Sequence, residues 1–214
     1  MSIESPEPAT VGVNENPRRT RMSAEERREQ LIGVARELFA ERGYAAASME
    51  EIAERARVSK PVLYEHFGGK DGIYSVIVDR EVTELVDRIK HALTPGHPRR
   101  TITRAVEAFL KYVEEEQDGF RILVRDAPVG AGGGSLPSVM DQIATAVEEL
   151  LRTELKDRGY SVKMAPVLAR SLVGMIALPG QWWLDAAELE RSYVAGQIVN
   201  LAWNGLGALR PQPD

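Results

Sequence analysis

Leu31, Val34, Ala35, Leu38 and Phe39 recur at three- and four-residue steps in "MSAEERREQLIGVARELFAERGY", the period of a helix with one apolar face. Ser23 followed by Glu26 has capping-box spacing and Gly43 supplies a stop, which predicts a first helix over 24–42. The device repeats in "ASMEEIAERARVS", where Ser48 with Glu51 opens a short helix over 49–56. After a turn of a few residues, Ser59 or Lys60 starts a third short helix to about His66, with Pro61 accommodated in its first turn. "FGGKDG" breaks it. Asp71 then opens the long amphipathic stretch "DGIYSVIVDREVTELVDRIKHAL", which "TPGHPRR" ends.

Two further helices are predicted at 101–117 and 119–127, then a loop over 128–137 and a helix in "SVMDQIATAVEELLRTELKDRG". Apolar stretches at 163–184 and 187–208 close the chain, and Pro179-Gly180 is expected to kink or break the first. No segment alternates at period two, and no unit of 20–50 residues repeats. The pattern is all-α, about nine helices: a disordered tail (1–22), a three-helix unit (23–70) and a larger helical unit (71–210). The tail assignment rests on the Pro, Glu and Asn of its first 17 residues.

The 214 residues are 43% hydrophobic and 28% charged, an ordinary globular balance. Cysteine is absent, which excludes disulfides, thiolate nucleophiles and Cys-based metal sites. The N-terminus lacks a basic segment followed by an apolar core, and no apolar run is read as approaching a bilayer span, so a cytoplasmic protein with no membrane partner is expected. Net charge is −5, yet residues 18–70 hold eleven Lys/Arg against nine Asp/Glu. The small positive excess sits on the three-helix unit.

Across 48–67, Ile52, Ala53, Ala56, Val58, Leu63 and Phe67 let two short helices cross closely while the first helix covers their backs. That is a helix-turn-helix. Its second helix is too polar outside to be core, and the outward set suits a DNA duplex. Tyr64 and His66 offer donors at the phosphate rim, and Lys70 and Ser48 stand beside helix N-termini that attract phosphate. Pro61 and Val62 offer apolar surface for thymine methyls, and Lys60 reaches guanine acceptors. The same spacing would also serve a plain helical hairpin with a solvated face.

"SMEEIAERARVSKPVLYEHFGGKDGIY", with "LIGVARELFAERGYAAAS" before it, closely resembles the DNA-binding region of the tetracycline-repressor (TetR) family of bacterial transcription regulators. The resemblance covers about residues 24–75. It implies phosphate contacts from Ser48, Tyr64, His66 and Lys70, and base or groove contacts from Lys60, Pro61 and Val62, with Ser59 in the same reading surface. One departure is visible: Arg57 stands in "ARVS" where the family usually has Gly. In a left-handed backbone Arg57 costs about 1–2 kcal/mol, which a phosphate contact would offset. Glu65 either reads a cytosine amino group or faces away. The basic "PRRTR" at 17–21 is either a minor-groove arm or a solvated linker.

One such module reads too few base pairs, so a homodimer on a palindromic operator is expected. "ELERSYVAGQIVNLAWNGLGAL" is apolar on nearly all faces, and "APVLARSLVGMIAL" shares that character, with Gly174 permitting close approach. The resemblance implies that these two C-terminal helices form a four-helix dimer interface. It also implies a small-molecule effector pocket in the C-terminal unit, and a repressor released by that effector. Candidate wall residues are Phe109, Tyr112, Phe120, Met175, Trp182 and Trp183, each better suited to ordinary core than to a ligand wall. Arg125 and Asp126 either orient a polar end of the effector or pair with each other. The effector is expected to be largely apolar. No enzyme is expected: His66, His91 and His97 do not converge, no HExxH or nucleophile elbow occurs, and "GAGGGS" lacks the P-loop Lys. Neither cofactor nor metal is expected.

Overall fold

The computed structural model describes residues 22–124, 136–186 and 188–208. Expectations for the arm at 17–21, for Arg125 and Asp126 and for most of the 128–137 loop fall outside them. The described residues hold nine α-helices and no strand: α1 (Ala24–Ala46), α2 (Met49–Ala56), α3 (Lys60–Phe67), α4 (Lys70–Ala92), α5 (Pro98–Glu115), α6 (Gln117–Val124), α7 (Leu136–Asp157), α8 (Ala165–Asp185) and α9 (Arg191–Gly207). A 3₁₀ turn, Val162–Met164, leads into α8.

The N-terminal box of α1 forms as the spacing predicts. The Ser23 hydroxyl accepts from the Glu26 N–H at 3.1 Å, and the Glu26 carboxylate accepts from the Ser23 N–H at 2.7 Å. Helical backbone breaks at Gly43 (φ 76°, ψ 165°). The box at α2 forms only by half: Ser48 accepts from the Glu51 N–H at 3.2 Å, but the Glu51 carboxylate turns to Arg42 at 3.1 Å. Cationic neighbours outbid a backbone donor for a charged acceptor. Helix α5 starts at Pro98, earlier than expected, because Pro98 at the first helical position needs no N–H partner.

Of the kink or break expected at Pro179-Gly180, the break does not occur: α8 runs from Ala165 to Asp185 with Pro179 inside it. Pro179 removes one helix bond, but Gly180 lets the backbone lie against Phe109. A Cβ there would fall 2.2 Å from that ring. Tertiary packing on both flanks outweighs the ~3 kcal/mol propensity penalty.

Leu31 and Leu38 of α1, Ile52 of α2 and Leu63 of α3 are completely buried and close the head on itself, each contributing about 1.5–3 kcal/mol. Helix α4 then runs from head to body. At its N-terminal end Tyr74 meets Phe39 edge-on at 5.1 Å, and towards its C-terminal end Leu85 and Ile89 enter the body core. In the body α7 packs along α8, and α5 packs on α9 and α4. Contrary to the sequence expectation, Val162–Asp185 is long and apolar enough to cross a membrane, with mean hydropathy 1.4. Arg170 within it reaches Asp141 and Glu148 of α7 at 3.3 and 3.4 Å, so the stretch is tied sideways to a polar neighbour.

Candidate nucleic-acid interface and ligand cavity

The turn between α2 and α3 hinges on Arg57, whose backbone is left-handed (φ 55°, ψ 44°); among the described residues no other non-glycine has positive φ. The Val58 N–H donates to the Ala53 carbonyl at 3.0 Å and the Arg57 N–H to Glu54 at 3.1 Å, the paired bonds of a Schellman cap. Val58 packs against the core. The cap therefore carries the strain of about 1–2 kcal/mol that a side chain brings to this conformation. Arg57 is left exposed at the start of the reading surface.

On α3 only Leu63 is fully buried. Ser59, Lys60, Pro61, Tyr64 and Glu65 are exposed and His66 is half-buried. Val62, expected to face outward, is half-buried and packs partly on the core. Ser59 caps α3 by backbone geometry with no side-chain bond, so its hydroxyl adds nothing to the helix. The Ser48 hydroxyl accepts one backbone bond, which leaves its O–H as a donor.

Lys60 and Lys70 differ in what their ammonium groups already hold. Lys60 pairs with Glu50 of α2, both half exposed, and the Glu50 carboxyl is held below its usual range by that bond. A phosphate can displace such a surface pair at small cost. The Lys70 ammonium instead donates to the carbonyls of Tyr44 at 2.7 Å, Ala47 at 2.9 Å and Ala45 at 3.4 Å, over the Tyr44 ring at 4.3 Å. An ammonium has three donors, and all three close the end of α1. In this structure Lys70 therefore fastens the head, and the phosphate contact expected of it would have to displace one of these carbonyls. Tyr44 completes this clasp by donating to Asp71, which pushes its phenol up to about 12.

In the body a cavity lies between α4, α5, α7 and α8, with roughly 620 Å³ of unfilled space including its mouth. Its wall is apolar throughout: Leu85 and Ile89 from α4, Phe109 from α5, Val139, Met140 and Ile143 from α7, Val173 and Ala177 from α8, and aliphatic neighbours. Of the expected wall residues only Phe109 lines it. Phe120 and Tyr112 are core, packed edge-on behind it. Trp183 is buried elsewhere and donates its indole N–H to the Leu189 carbonyl at 2.8 Å. Met175 is off the wall and Trp182 is exposed. Aromatic residues drew the sequence reading, whereas the wall is mainly aliphatic. The apolar steps Val139, Ile143 and Val147 along α7 were the available signal. Among the described residues no group of three or more His, Cys, Asp or Glu is placed to hold a metal.

A helix-turn-helix head on an all-α body defines a DNA-binding regulator, and the comparisons give its class. Residues 31–77 match the family described as bacterial regulatory proteins, tetR family, and 98–205 match the tetracyclin repressor-like C-terminal domain. The chain belongs to the TetR family of transcription regulators. It is 34% identical over 197 residues to the HTH-type transcriptional activator FasR of Mycolicibacterium smegmatis, covering 89% of this chain and 88% of that one. A TetR-like transcriptional regulator from Rhodococcus sp. RHA1 superposes with a TM-score of 0.73 at 30% identity, over 88% of this chain and all of that one. A tetR-family regulator from Streptomyces coelicolor gives 0.65 at 29% identity, over 85% and 80%.

Proposed function

We propose that the protein is a cytoplasmic homodimeric repressor that reads a palindromic operator and leaves it when an apolar small molecule fills the body cavity. The observation that carries this reading is the apolar cavity, whose α4 wall continues unbroken into the head. An occupant that fits one setting of α4 better than another shifts the equilibrium by that difference and no more. Lys60 and Pro61 meet the bases and groove floor, with Val62 contributing its exposed part, while Ser48, Arg57, Ser59, Tyr64 and His66 flank the phosphate backbone.

Dimerisation would use α8 and α9. Val167, Leu178 and Trp182 form one exposed stripe on α8 beside the open face of Gly174, and Tyr193 and Leu201 form another on α9. Two such stripes from two copies give a four-helix seam. Half-site centres then lie roughly 34–36 Å apart, or a multiple of that.

One observation favours a second reading. FasR, 34% identical, is named an activator. Selection of bound duplexes from a random pool, followed by titration with straight-chain alcohols of increasing length, tests the proposal. An enriched palindrome released by the longer alcohols supports it. Absence of enrichment from folded dimer refutes the DNA reading, and footprints upstream of the promoter rather than across it favour the activator.

A further inference from the structure

Glu81 stands on a stripe of α4 whose other members are hydrocarbon. Ile73, Ile77, Leu85 and Ile89 share its face at four-residue steps, all nearly inaccessible, and Glu81 between them is 6% exposed, the single buried charged residue among those described. A carboxylate at that depth persists only if its oxygens are satisfied. One accepts from Arg36 Nε at 2.6 Å. The other accepts from the Tyr112 hydroxyl at 2.7 Å and from Arg36 Nη2 at 3.4 Å. Arg36 Nη2 also reaches Glu116 at 2.6 Å. Burial works against the Arg36 charge, but Glu81 and Glu116 outweigh it and raise its pKa.

The cluster joins parts that need not have met. Arg36 belongs to α1 of the head, Glu81 to α4, Tyr112 to α5, and Glu116 to the junction of α5 and α6. Gly119 of α6 makes the closure possible, since a Cβ there would fall 1.8 Å from a Glu81 oxygen and 2.8 Å from Arg36. From Tyr112 the contacts continue towards the cavity. Its ring meets Phe120 edge-on at 6.3 Å, and Phe120 meets Phe109 edge-on at 5.7 Å. Phe109 is cavity wall and rests in the notch at Gly180.

We propose that Arg36, Glu81 and Tyr112 form the joint through which occupancy of the cavity resets the reading head, with Glu81 the positioning residue. The proposal rests on the cavity being the effector site. An occupant that displaces Phe109 moves Phe120 and then the Tyr112 ring. A fully bonded buried carboxylate does not yield gradually: either α1 follows through Arg36, or Glu81 loses a partner in a dry environment. Hydrocarbon packing alone at this position would let the two units slide. The bonded charge makes the coupling stiff.

The test uses full-length protein and an operator taken from the duplex selection. Ala177→Leu fills part of the cavity in the wild-type, Tyr112→Phe and Phe120→Leu backgrounds. Tyr112→Phe keeps the ring and removes only the hydroxyl, while Phe120→Leu breaks the aromatic contact and leaves the Glu81 bonds. Filling is expected to weaken operator binding about tenfold in the wild type, within the usual range of allosteric coupling, and less than about twofold in either background. A purely structural cluster would lower melting temperature yet leave the filling effect at full size. That result, from backgrounds shown by sedimentation to be folded dimers, overturns the joint. If filling changes nothing in the wild type, the cavity does not govern DNA binding, and the functional reading fails with the joint.

Discussion

The outer faces of head and body are built from different chemistry. Between Met22 and Gly69 the exposed large apolar residues are Met22 and Tyr64 alone, and Tyr64 carries a hydroxyl. Along α8 and α9 they are Val167, Leu178, Trp182, Tyr193 and Leu201, with Leu178 66% and Leu201 62% exposed. Charges and hydroxyls exchange easily with phosphate. Exposed carbon gains by leaving water. The contrast repeats within the head. Lys60 is exposed and held by one displaceable carboxylate, whereas Lys70 is fixed by three carbonyls. Two lysines of one unit thus differ in how readily their donors can be released.

The largest effect should come from breaking the apolar face. Leu178→Glu with Leu201→Glu is expected to halve the mass seen by sedimentation. Operator affinity should fall by about 100-fold, since two half-sites would no longer be held by one molecule. An unchanged mass would remove α8 and α9 from the interface.

On the head, Tyr64→Ala should weaken operator binding by about tenfold with no change in melting temperature. Lys70→Ala should do the opposite, lowering stability by about 1–3 kcal/mol through the orphaned end of α1. Salt titration separates the roles: the slope of log affinity against log salt stays put if Lys70 is a clasp, and falls by about 1 if it is a phosphate ligand.

Arg57→Gly should stabilise the fold by about 1 kcal/mol, because glycine meets no strain at φ 55°. Any loss of operator affinity in that variant would measure what the guanidinium contributes to DNA. The smallest effect concerns the clasp at high pH. The Tyr44 phenol is raised from 10.0 to about 12, foremost by its bond to Asp71, so the folded state holds its proton more tightly than the unfolded chain. That contribution is complete below about pH 10 and is lost as pH rises towards about 12. Chemical denaturation at pH 9 and pH 11 should show the wild type losing stability relative to Tyr44→Phe.

The helices and the helix-turn-helix were legible because their causes are local. Ser23, Gly43 and the apolar steps of α1 act within one or two turns, and short-range sterics decide them. Three features were not legible. Only the fold brings the end of α1 beside Lys70, so its donors looked free. Whether α8 would continue through Pro179 was open because its support comes from Phe109, some seventy positions earlier in the chain. The cavity wall looked aromatic because large rings are conspicuous in a sequence, but an empty volume belongs to no residue. By itself the sequence determined the helical elements, the helix-turn-helix and the family. The tertiary structure alone decided which charges are occupied, where space remains and how Glu81 ties head to body, because each depends on groups far apart in the chain meeting within a few ångströms.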